Sequence, residues 1–403
     1  MTPAPETGIR TSGPLGFLDE ALDALRAEGL YRHLRVLEGE QKPRARFDGR
    51  DVINLSSNNY LGFTTHPRLR EAAIQAARAL GAGSGSVRTI AGTMDLHLAL
   101  ERRIAAFKKT EAAVVFQSGF AANAGTVSAL LGKEDLILSD ELNHASIIDG
   151  ARLSRAAIRV FPHRDTAALR QLLEETSGVK RRLVITDGVF SMDGDIARLS
   201  EVSALAREHG AIMMVDDAHA SGVLGASGRG TVDHFGVHGQ VDVQVGTLSK
   251  AIGVLGGYVC GSKSLIEFLY HRARPFLFST SHPPAVAAAC MAAFDVLEEE
   301  PQWIERLWSN TRRFQAGLKR LGFDTGSSET PITPILVGEA ERAMRLSDLA
   351  FERGVFAQGI GYPTVAKGRA RLRTIVTATH TEEELDRALE ILGDAARSLG
   401  IIS

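Results

Sequence analysis

A lysine that follows an alternating apolar run is the first candidate for chemistry in this sequence. Residues 241–245 alternate between valine and polar side chains, as a β-strand does. Gly246 is expected to end that strand and to place Thr247 and Lys250 in a loop. The glycines that follow, where a larger side chain would crowd a bound group, are Gly253, Gly256 and Gly257. Such an amine could form a Schiff base with a carbonyl cofactor. From this stretch alone, a surface lysine is the simpler interpretation.

A carboxylate that ends another apolar run supplies a second candidate group. Asp216 follows residues 211–215, and burying it is unfavourable unless a cation or hydrogen bonds satisfy it. A protonated pyridine nitrogen at about 4 Å would contribute roughly 4 kcal/mol at an effective dielectric near 20. An aspartate paired with a pyridinium and a lysine with an aldehyde is how proteins hold pyridoxal phosphate. His219 could then reach the phenol oxygen of the ring and His144 could stack on its face, although a structural role is equally typical of each.

Three segments offer hydrogen-bond donors for the phosphate of such a cofactor. Ser118-Gly119-Phe120, at the start of a predicted helix, presents backbone N–H groups and the positive end of the helix dipole. Thr247 and the pair Ser279-Thr280 add hydroxyl groups. Serine and threonine at helix starts are usually caps, so none of these segments identifies a phosphate site by itself.

A divalent metal ion is the main alternative chemistry. The chain has enough ligand types for one, in Asp140, His144, Asp216, Asp217 and His219. His234 and His238 have a His-x-x-x-His spacing, but Gly236 lies between them and no glutamate follows His234 as the zinc-protease motif requires. A metal would also leave the lysine loop and the phosphate-type turn unused. We therefore expect no metal site.

The elements that must position these groups are short apolar runs that alternate with helical segments between about 66 and 285. The runs are 112–116, 136–139, 158–161, 183–186, 212–215, 241–245 and 257–260. This alternation predicts an α/β architecture with a mostly parallel sheet covered by helices. Ligands bind beyond the carboxyl ends of parallel strands. Five runs lead into Ser118, His144, residues 187–194, Asp216 and Lys250, so we predict one site at that edge.

Further segments frame the predicted sheet. Residues 1–13 are expected to form a loose tail, and residues 15–30 have the spacing of an amphipathic helix. A helical stretch at 285–321 leads into a smaller α+β part. Short strands are expected at 51–57, 332–337 and 371–376. The predicted units are an N-terminal arm and helix packing with the small domain (1–60), a large cofactor-binding domain (61–285) and a small C-terminal α+β domain (286–403).

Composition limits the class of protein. A chain of 403 residues exceeds one ordinary core, and its 44% hydrophobic and 23% charged residues are typical of a globular protein. A net charge of −2 gives no reason to expect nucleic acid or a membrane surface as a partner. The two cysteines, Cys260 and Cys290, form no Cys-x-x-Cys pair, and the start has no apolar signal core. We expect a cytoplasmic protein.

Taken together, the motifs resemble one family, the α-oxoamine synthases, which are pyridoxal phosphate enzymes of fold type I. The resemblance covers nearly the whole chain in family order. The matching stretches are Ser-Ser-Asn-Asn-Tyr-Leu-Gly (56–62), Ser-Gly-Phe-Ala-Ala-Asn (118–123), Asp-Glu-Leu-Asn-His-Ala-Ser-Ile-Ile-Asp-Gly (140–150), Gly-Val-Phe-Ser-Met-Asp-Gly (188–194), Val-Asp-Asp-Ala-His (215–219), Gly-Thr-Leu-Ser-Lys (246–250), Pro-Phe-Leu-Phe-Ser-Thr-Ser (275–281) and Arg-Leu-Arg-Thr-Ile-Val-Thr-Ala-Thr-His-Thr (371–381).

The resemblance implies a role for each matching residue around the cofactor. Lys250 would hold pyridoxal phosphate covalently and act as the general acid/base, Asp216 would pair with the ring nitrogen, and His219 would bond the phenolate. His144 would stack on the ring and help position the acyl group. The remaining implied cofactor contacts are Gly119, Phe120, Ser191 and Thr247, with Ser279 and Thr280 reaching the phosphate from the neighbouring subunit of a homodimer.

The resemblance also implies where the substrates bind. Arg373 and Asn58 would bind the carboxylate of the amino acid, while Arg32 and Thr364 would lie beside the acyl group. Arg373, which has arginine neighbours at 369 and 371, could instead be a surface charge on a strand.

The family condenses a small amino acid with an acyl-CoA and releases CoA. We expect glycine C-acetyltransferase activity with broad acyl-CoA specificity, because residues 143–150, residues 272–279 and the ending Ser-Leu-Gly-Ile-Ile are similar to that branch. The alternative is 8-amino-7-oxononanoate synthase, which uses pimeloyl-CoA and L-alanine. Residues 215–219 and 279–284 are more similar to that branch.

Overall fold

Thirteen strands form three sheets in the computed structural model, which describes residues 13–28, 31 and 33–403. The strands are β1 (Arg44–Phe47), β2 (Arg50–Asn54), β3 (Ala112–Phe116), β4 (Leu136–Asp140), β5 (Ala157–Phe161), β6 (Arg182–Asp187), β7 (Ile212–Asp216), β8 (Val243–Thr247), β9 (Gly257–Gly261), β10 (Ile332–Gly338), β11 (Val355–Phe356), β12 (Gln358–Ile360) and β13 (Ala370–Ile375).

Fourteen α-helices lie between and after these strands in the described residues. They are α1 (Phe17–Ala27), α2 (Pro67–Leu80), α3 (Asp95–Lys108), α4 (Gly119–Leu130), α5 (Ala145–Ser154), α6 (Thr166–Glu175), α7 (Leu199–Glu208), α8 (Thr231–His234), α9 (Lys263–Arg272), α10 (Arg274–Leu277), α11 (Pro284–Glu299), α12 (Gln302–Arg320), α13 (Ala340–Glu352) and α14 (Glu382–Ser398). A 3₁₀ turn covers Phe63–Thr65 and a π turn covers Arg88–Gly92.

The largest sheet has seven strands in the order β3-β9-β8-β7-β6-β4-β5. All are parallel except β9, which pairs antiparallel with β3 and with β8. Each of the seven apolar runs predicted from the sequence corresponds to a strand, and the predicted and observed ends differ by at most two residues. The predicted α/β fold with a mostly parallel seven-stranded sheet is confirmed.

The end of β8 differs from the prediction. Gly246 does not break the strand, which continues through Thr247 and pairs with β9 along its length. A Cβ atom at residue 246 would lie 2.3 Å from Cζ of Tyr258 on the neighbouring strand. The glycine therefore allows the tyrosine ring to pack across β8, and the loop that carries Lys250 begins one residue later, at Leu248.

Helices cover both faces of the large sheet, and its central strands are therefore buried throughout. One face packs against α4, α5 and α9, through residues that include Val127, Ile147 and Leu269. The other face packs against α6 and α7, through residues that include Leu173 and Val202. A parallel sheet buried on both faces needs the continuous apolar runs seen in the sequence.

Two three-stranded sheets form a smaller α+β part. One has the order β1-β2-β11 and the other the order β10-β13-β12, which is antiparallel throughout. Their core with α12, α13 and α14 includes Phe314, Leu346, Leu372 and Leu392. The strands predicted near 51–57, 332–337 and 371–376 correspond to β2, β10 and β13, and the helical stretch at 285–321 is divided by Glu300 and Pro301. A proline disfavours helical geometry at the residue before it, here Glu300, which explains this break.

Helix α1 lies within the predicted amphipathic segment 15–30. None of its residues is buried, and Leu18, Leu22 and Leu25 are exposed in the single chain. The predicted tail falls almost wholly on residues 1–12, which lie outside the described residues, as do Gly29 and Leu30. In the part of the chain that the structure describes, every helix is too short or too polar to cross a membrane. The division into these three units stays a prediction.

Candidate active site

The carboxyl ends of the parallel strands bring the predicted groups to one edge of the sheet. Asp216 is the last residue of β7, and the next strand, β8, leads into the loop that contains Lys250. His144 begins α5 after β4, and Ser118 begins α4 after β3. Because these strands run in the same direction, the turns that follow their carboxyl ends lie at the same edge of the sheet. The convergence predicted from the sequence is therefore observed.

Lys250 and His219 are in direct contact. Nζ of Lys250 lies 2.9 Å from Nε2 of His219, and Nδ1 of His219 lies 2.7 Å from the hydroxyl of Tyr60. Tyr60 and His219 are both buried. Burial and the neighbouring cation Lys250 hold the pKa of His219 well below its usual range, so its imidazole is neutral at neutral pH. The histidine is thus a neutral hydrogen-bonding group beside the amine.

The amine of Lys250 is suited to act as a nucleophile near neutral pH. Burial lowers its pKa to about 8, against the opposing influence of Asp216 and Asp187. A lowered pKa leaves an appreciable fraction of the amine neutral, and the neutral form attacks carbonyl groups. Among the described residues Lys250 forms no ion pair within 4 Å, so the amine is not tied to a carboxylate.

The glycines of the lysine loop pack against the protein's own backbone. Gly253 has φ +76°, and a Cβ atom there would lie 2.7 Å from the amide nitrogen of Thr64. A Cβ atom on Gly257 would lie 2.3 Å from the carbonyl oxygen of Ser118. The clearance that these two glycines provide is therefore for neighbouring main chain rather than for a bound ring, contrary to the expectation above.

Asp216 is a buried carboxylate whose recorded hydrogen-bond partners are uncharged. The amide of Asn123 donates to it at 2.6 Å and the N–H of Ala218 at 2.8 Å. Within the described residues it has no ion pair within 4 Å, and the nearest cation that acts on it is Lys250. Burial and the nearby charge of Asp216 raise the pKa of Asp187 well above its usual range. A ring nitrogen that carries a proton would complete this site.

His144 hydrogen-bonds to residues next to Asp216 in the same cluster. Its Nδ1 is 2.7 Å from the hydroxyl of Ser146, and its backbone N–H donates to Asp187 at 2.9 Å. The residue as a whole stays exposed in the single chain. Partial burial lowers the pKa of His144, Asp216 raises it, and Lys250 lowers it further, with a net decrease. His144 is therefore neutral and open to a ligand at neutral pH.

The start of α4 offers donors for an anion. The hydroxyl of Ser118 caps the helix by accepting from the N–H of Ala121, which is the role that serine usually has there. The N–H groups of Gly119 and Phe120 come before the first intrahelical bond, and neither has a backbone partner among the described residues. Thr247 lies against Gly119, at 3.5 Å from the position a Cβ atom there would take. The turn has the N–H donors that an anion site needs, and its role in binding a phosphate stays a prediction.

Arg373 is not a surface charge. Its Nε donates to the carbonyl oxygen of Ser191 at 2.6 Å and its Nη2 to Oδ1 of Asn58 at 3.1 Å. The guanidinium has no carboxylate partner among the described residues. Arg371, two residues earlier, is buried in an ion pair with Asp193. Both arginines lie on β13, the central strand of its sheet, which is why the surface interpretation was wrong.

The other predicted residues are less closely tied to this cluster. Ser191 meets the site through its backbone oxygen, as described above. Thr364 is exposed in the segment after β12, and Thr280 pairs with Val87 while its carbonyl oxygen accepts from Gln117. Ser279 is half-buried beside it. Arg32 lies outside the described residues. The roles given to these residues stay predictions.

Four groups at the site were not singled out from the sequence. They are Tyr60, Asn123, Ser146 and Lys108, the last of which pairs with Asp217 behind the site. The first three lie within the quoted stretches 56–62, 118–123 and 140–150, so the signal was their position in those motifs. Lys108 ends α3 outside every motif and carried no signal. In the described part of the chain no group of three or more His, Cys, Asp or Glu side chains could hold a metal ion.

Comparison with known proteins defines the class. The family described as aminotransferase class I and II matches residues 50–392, so the chain belongs to that family. It is 60% identical over 387 residues to 8-amino-7-oxononanoate synthase of Symbiobacterium thermophilum, covering 96% of this chain and 99% of that protein. It is 58% identical over 386 residues to 8-amino-7-oxononanoate synthase 1 of Bacillus velezensis, with 96% and 99% covered. Serine palmitoyltransferase from S. paucimobilis, whose structure contains pyridoxal phosphate, has a TM-score of 0.91 at 33% identity, with 96% and 98% covered.

These relatives place the chain among the α-oxoamine synthases, which are pyridoxal phosphate-dependent acyltransferases. The residues present fit that cofactor. At one edge the sheet brings together a nucleophilic amine (Lys250), a buried carboxylate without an ion pair (Asp216), a neutral histidine (His219) and the N–H groups at Gly119. They match the aldehyde, ring nitrogen, phenol oxygen and phosphate of pyridoxal phosphate in chemical type.

Proposed function

We propose that the chain is an 8-amino-7-oxononanoate synthase, which condenses pimeloyl-CoA with L-alanine and releases CoA and carbon dioxide. The observation that carries this proposal is the 60% identity over 96% of the chain to a synthase of that name. The reported relatives favour this alternative over glycine C-acetyltransferase, which we expected first from the sequence.

Arg373 and Asn58 would bind the carboxylate of alanine. A guanidinium without an acidic partner is a favourable site for a carboxylate. Its charge-assisted hydrogen bonds are strong, and it can form two of them with the same carboxylate. Its existing bond to the carbonyl oxygen of Ser191, at 2.6 Å, fixes the orientation of the guanidinium plane. The binding of the carboxylate there would hold the α-carbon of alanine near Lys250.

Lys250 would move the proton of the α-carbon. With a pKa lowered to about 8, its amine can both accept and return a proton near neutral pH, which is the requirement for a general acid/base. Pyridoxal phosphate, when bound, supplies the electron sink for the negative charge left on that carbon. Asp216 would keep the ring nitrogen protonated, and His219 would hold a hydrogen bond on the phenol oxygen.

The substrate assignment is tested by measuring CoA release from acetyl-, succinyl-, pimeloyl- and palmitoyl-CoA, each with glycine, alanine and serine. We expect the highest kcat/KM for pimeloyl-CoA with alanine, together with labelled carbon dioxide from alanine labelled at its carboxyl carbon. Lys250→Ala is the inactive control. A preference for acetyl-CoA with glycine would overturn the assignment in favour of glycine C-acetyltransferase.

We also propose that the enzyme works as a homodimer in the cytoplasm. The exposed apolar side chains of α1 and Phe278, which is 69% exposed, are surfaces that a second copy would cover. Both cysteines are free and buried, as suits a reducing compartment.

If Ser279 and Thr280 act across the interface, mixing Lys250→Ala subunits with Thr280→Val subunits restores activity, because one site of each mixed dimer is intact. No recovery on mixing would contradict the shared site.

A further inference from the structure

A line of hydrogen bonds joins Asp216 to His144 through two residues that have no assigned role. The Nδ2 atom of Asn123 lies 2.6 Å from Oδ2 of Asp216 and 2.9 Å from Oγ of Ser146. The same Oγ lies 2.7 Å from Nδ1 of His144. Asn123 and Ser146 are buried, so water does not compete for these bonds. The line connects the end of β7 with α4 and α5.

The direction of each bond follows from the groups involved. An ionised carboxylate only accepts, so the amide nitrogen of Asn123 must face Asp216, and its second hydrogen points to Ser146. Because the oxygen of Ser146 accepts this hydrogen bond from Asn123, the hydroxyl hydrogen of Ser146 is free to be donated to Nδ1 of His144. The backbone N–H of Ser146, which can only donate, also lies 3.2 Å from Nδ1 of His144. Nδ1 is therefore an acceptor, and the proton of the neutral imidazole is on Nε2.

We infer that Asn123 and Ser146 are positioning residues that orient Asp216 and hold His144 in its Nε2–H form. The functional part of this inference rests on the proposed function, in which Asp216 and His144 flank the cofactor. The nitrogen of His144 that remains for a ligand then carries the proton. It can donate a hydrogen bond to an acyl carbonyl oxygen, and it cannot act as a base.

The surroundings of His144 are compatible with this assignment. The charged and titratable groups that act on it are Asp216, Asp187, Lys250 and His219. Lys250 and partial burial lower its pKa more than Asp216 raises it, so the neutral form prevails. A donor to Nδ1 stabilises that neutral form further. Removing the donor should therefore raise the pKa of His144.

The test is nitrogen-15 NMR of the histidines in the enzyme before pyridoxal phosphate is added, with the signal of His144 assigned by its loss in His144→Gln. We expect Nε2–H in the wild type. Ser146→Ala removes only the hydroxyl, and we expect the pKa of His144 to rise by roughly half a unit to one unit, as one hydrogen bond predicts. Asn123→Leu should shift it in the same direction.

Thr126→Val is the matched control. Thr126 lies on α4 one turn after Asn123, is also fully buried, and its hydroxyl has no hydrogen-bond partner in the described part of the chain. We expect no change in the signal or pKa of His144. An Nδ1–H form in the wild type, or equal results for Ser146→Ala and Thr126→Val, would overturn the inference. If Asn123→Leu does not fold, Ser146→Ala alone decides.

The readout separates this inference from the proposed function. The tautomer is measured without acyl-CoA or amino acid, so it does not depend on which substrates are turned over. An Nε2–H form that responds to Ser146→Ala, in an enzyme that does not use pimeloyl-CoA, supports the positioning role and rejects the substrate. With cofactor added, Ser146→Ala should also alter the pH dependence of kcat. It should leave the KM for alanine nearly unchanged, because Ser146 does not contact the carboxylate site.

Discussion

Lys108 and Asp217 form an ion pair that is closed to solvent, with Nζ 2.8 Å from Oδ2 and both side chains 0% exposed. Lys108 also donates to the carbonyl oxygen of Arg229 at 2.5 Å, and Thr231 donates to the carboxylate. Burial alone would lower the pKa of Lys108, but Asp217 raises it above its usual value. The pair fixes both ends of the segment 217–231, which contains His219.

Replacement of Lys108 by methionine should destabilise the fold strongly. It would leave Asp217 charged, buried and without its cation, and breaking a buried pair in this way costs about 3–5 kcal/mol. The free energy of unfolding from urea denaturation measures the effect. Lys109→Met is the control, since Lys109 pairs with Asp233 while half exposed and should contribute only about 1 kcal/mol or less. Equal losses in the two variants would contradict the buried pair.

Lys250 should react as a neutral amine at a lower pH than an ordinary lysine. Its pKa of about 8 predicts that acylation of this side chain, in protein without added pyridoxal phosphate, rises with pH around a midpoint near 8. Peptide mapping by mass spectrometry after brief labelling at a series of pH values gives the midpoint. The same lysine in urea-unfolded protein is the reference and should titrate near 10.4. The prediction fails if the two midpoints coincide.

Arg373→Lys should weaken binding of the amino acid. Lysine keeps the charge but cannot bond Ser191 and Asn58 while also presenting a fork to a carboxylate. A hydrogen bond to a charged group contributes about 1.5–3 kcal/mol, so kcat/KM for the amino acid should fall roughly 10- to 150-fold, mainly through KM. Arg369→Lys, at an exposed position four residues away, should leave it unchanged. An unaltered KM in Arg373→Lys would place the carboxylate elsewhere.

His163 should make stability depend on pH in the alkaline range. It bridges Asp140 at 2.9 Å and Asp195 at 2.8 Å, and although burial opposes this, the two carboxylates raise its pKa to about 9. A folded pKa above the unfolded value of 6.5 gives stabilisation that is complete below pH 6.5 and lost as pH rises through about 9. His163→Gln should therefore lower the free energy of unfolding at pH 6, on the order of 2 kcal/mol, and much less at pH 10.

The exposed His271 supplies the comparison for this measurement. His271→Gln, at a position without a recorded carboxylate partner among the described residues, controls for the loss of a histidine as such and should change stability little. A difference between wild type and His163→Gln that stays constant from pH 6 to pH 10 would show that the histidine is not charged in the fold.

The positions of the site residues along the strands could be predicted from the sequence because they depend on local pattern. Asp216 ends an apolar run and Lys250 follows another, and in a parallel sheet both ends must meet. The partners of these side chains could not be predicted in the same way. Asn123 lies 93 residues from Asp216, and Lys108 lies 109 residues from Asp217. Such pairs depend on how helices pack on the sheet, which no local period specifies.

The error at Gly246 and the rejected alternative for Arg373 have the same physical origin. Gly246 was expected to end a strand, but it lies in the sheet because the ring of Tyr258 fills the space where its side chain would be. Arg373 carries the charge of a surface residue but lies on a central strand with its guanidinium turned to Asn58. In both cases the residue type is explained by a neighbour from another segment of the chain, which the intrinsic preference of the residue does not reveal.

The single antiparallel strand of the large sheet has a consequence for the reactive amine. Residues 248–256, which include Lys250, are closed at their base by the pairing of Thr247 with Gly257, between two strands in the interior of the sheet. Both ends of the loop backbone are thus anchored in the sheet, and the amine is carried on a loop that is held at its base. Under the proposed function, a substrate amine would compete with a nucleophile that cannot diffuse away and whose effective concentration is far above that of any solute. Under that proposal, Lys250 would stay close to its reaction partner throughout each turnover, because it is covalently attached to the same chain.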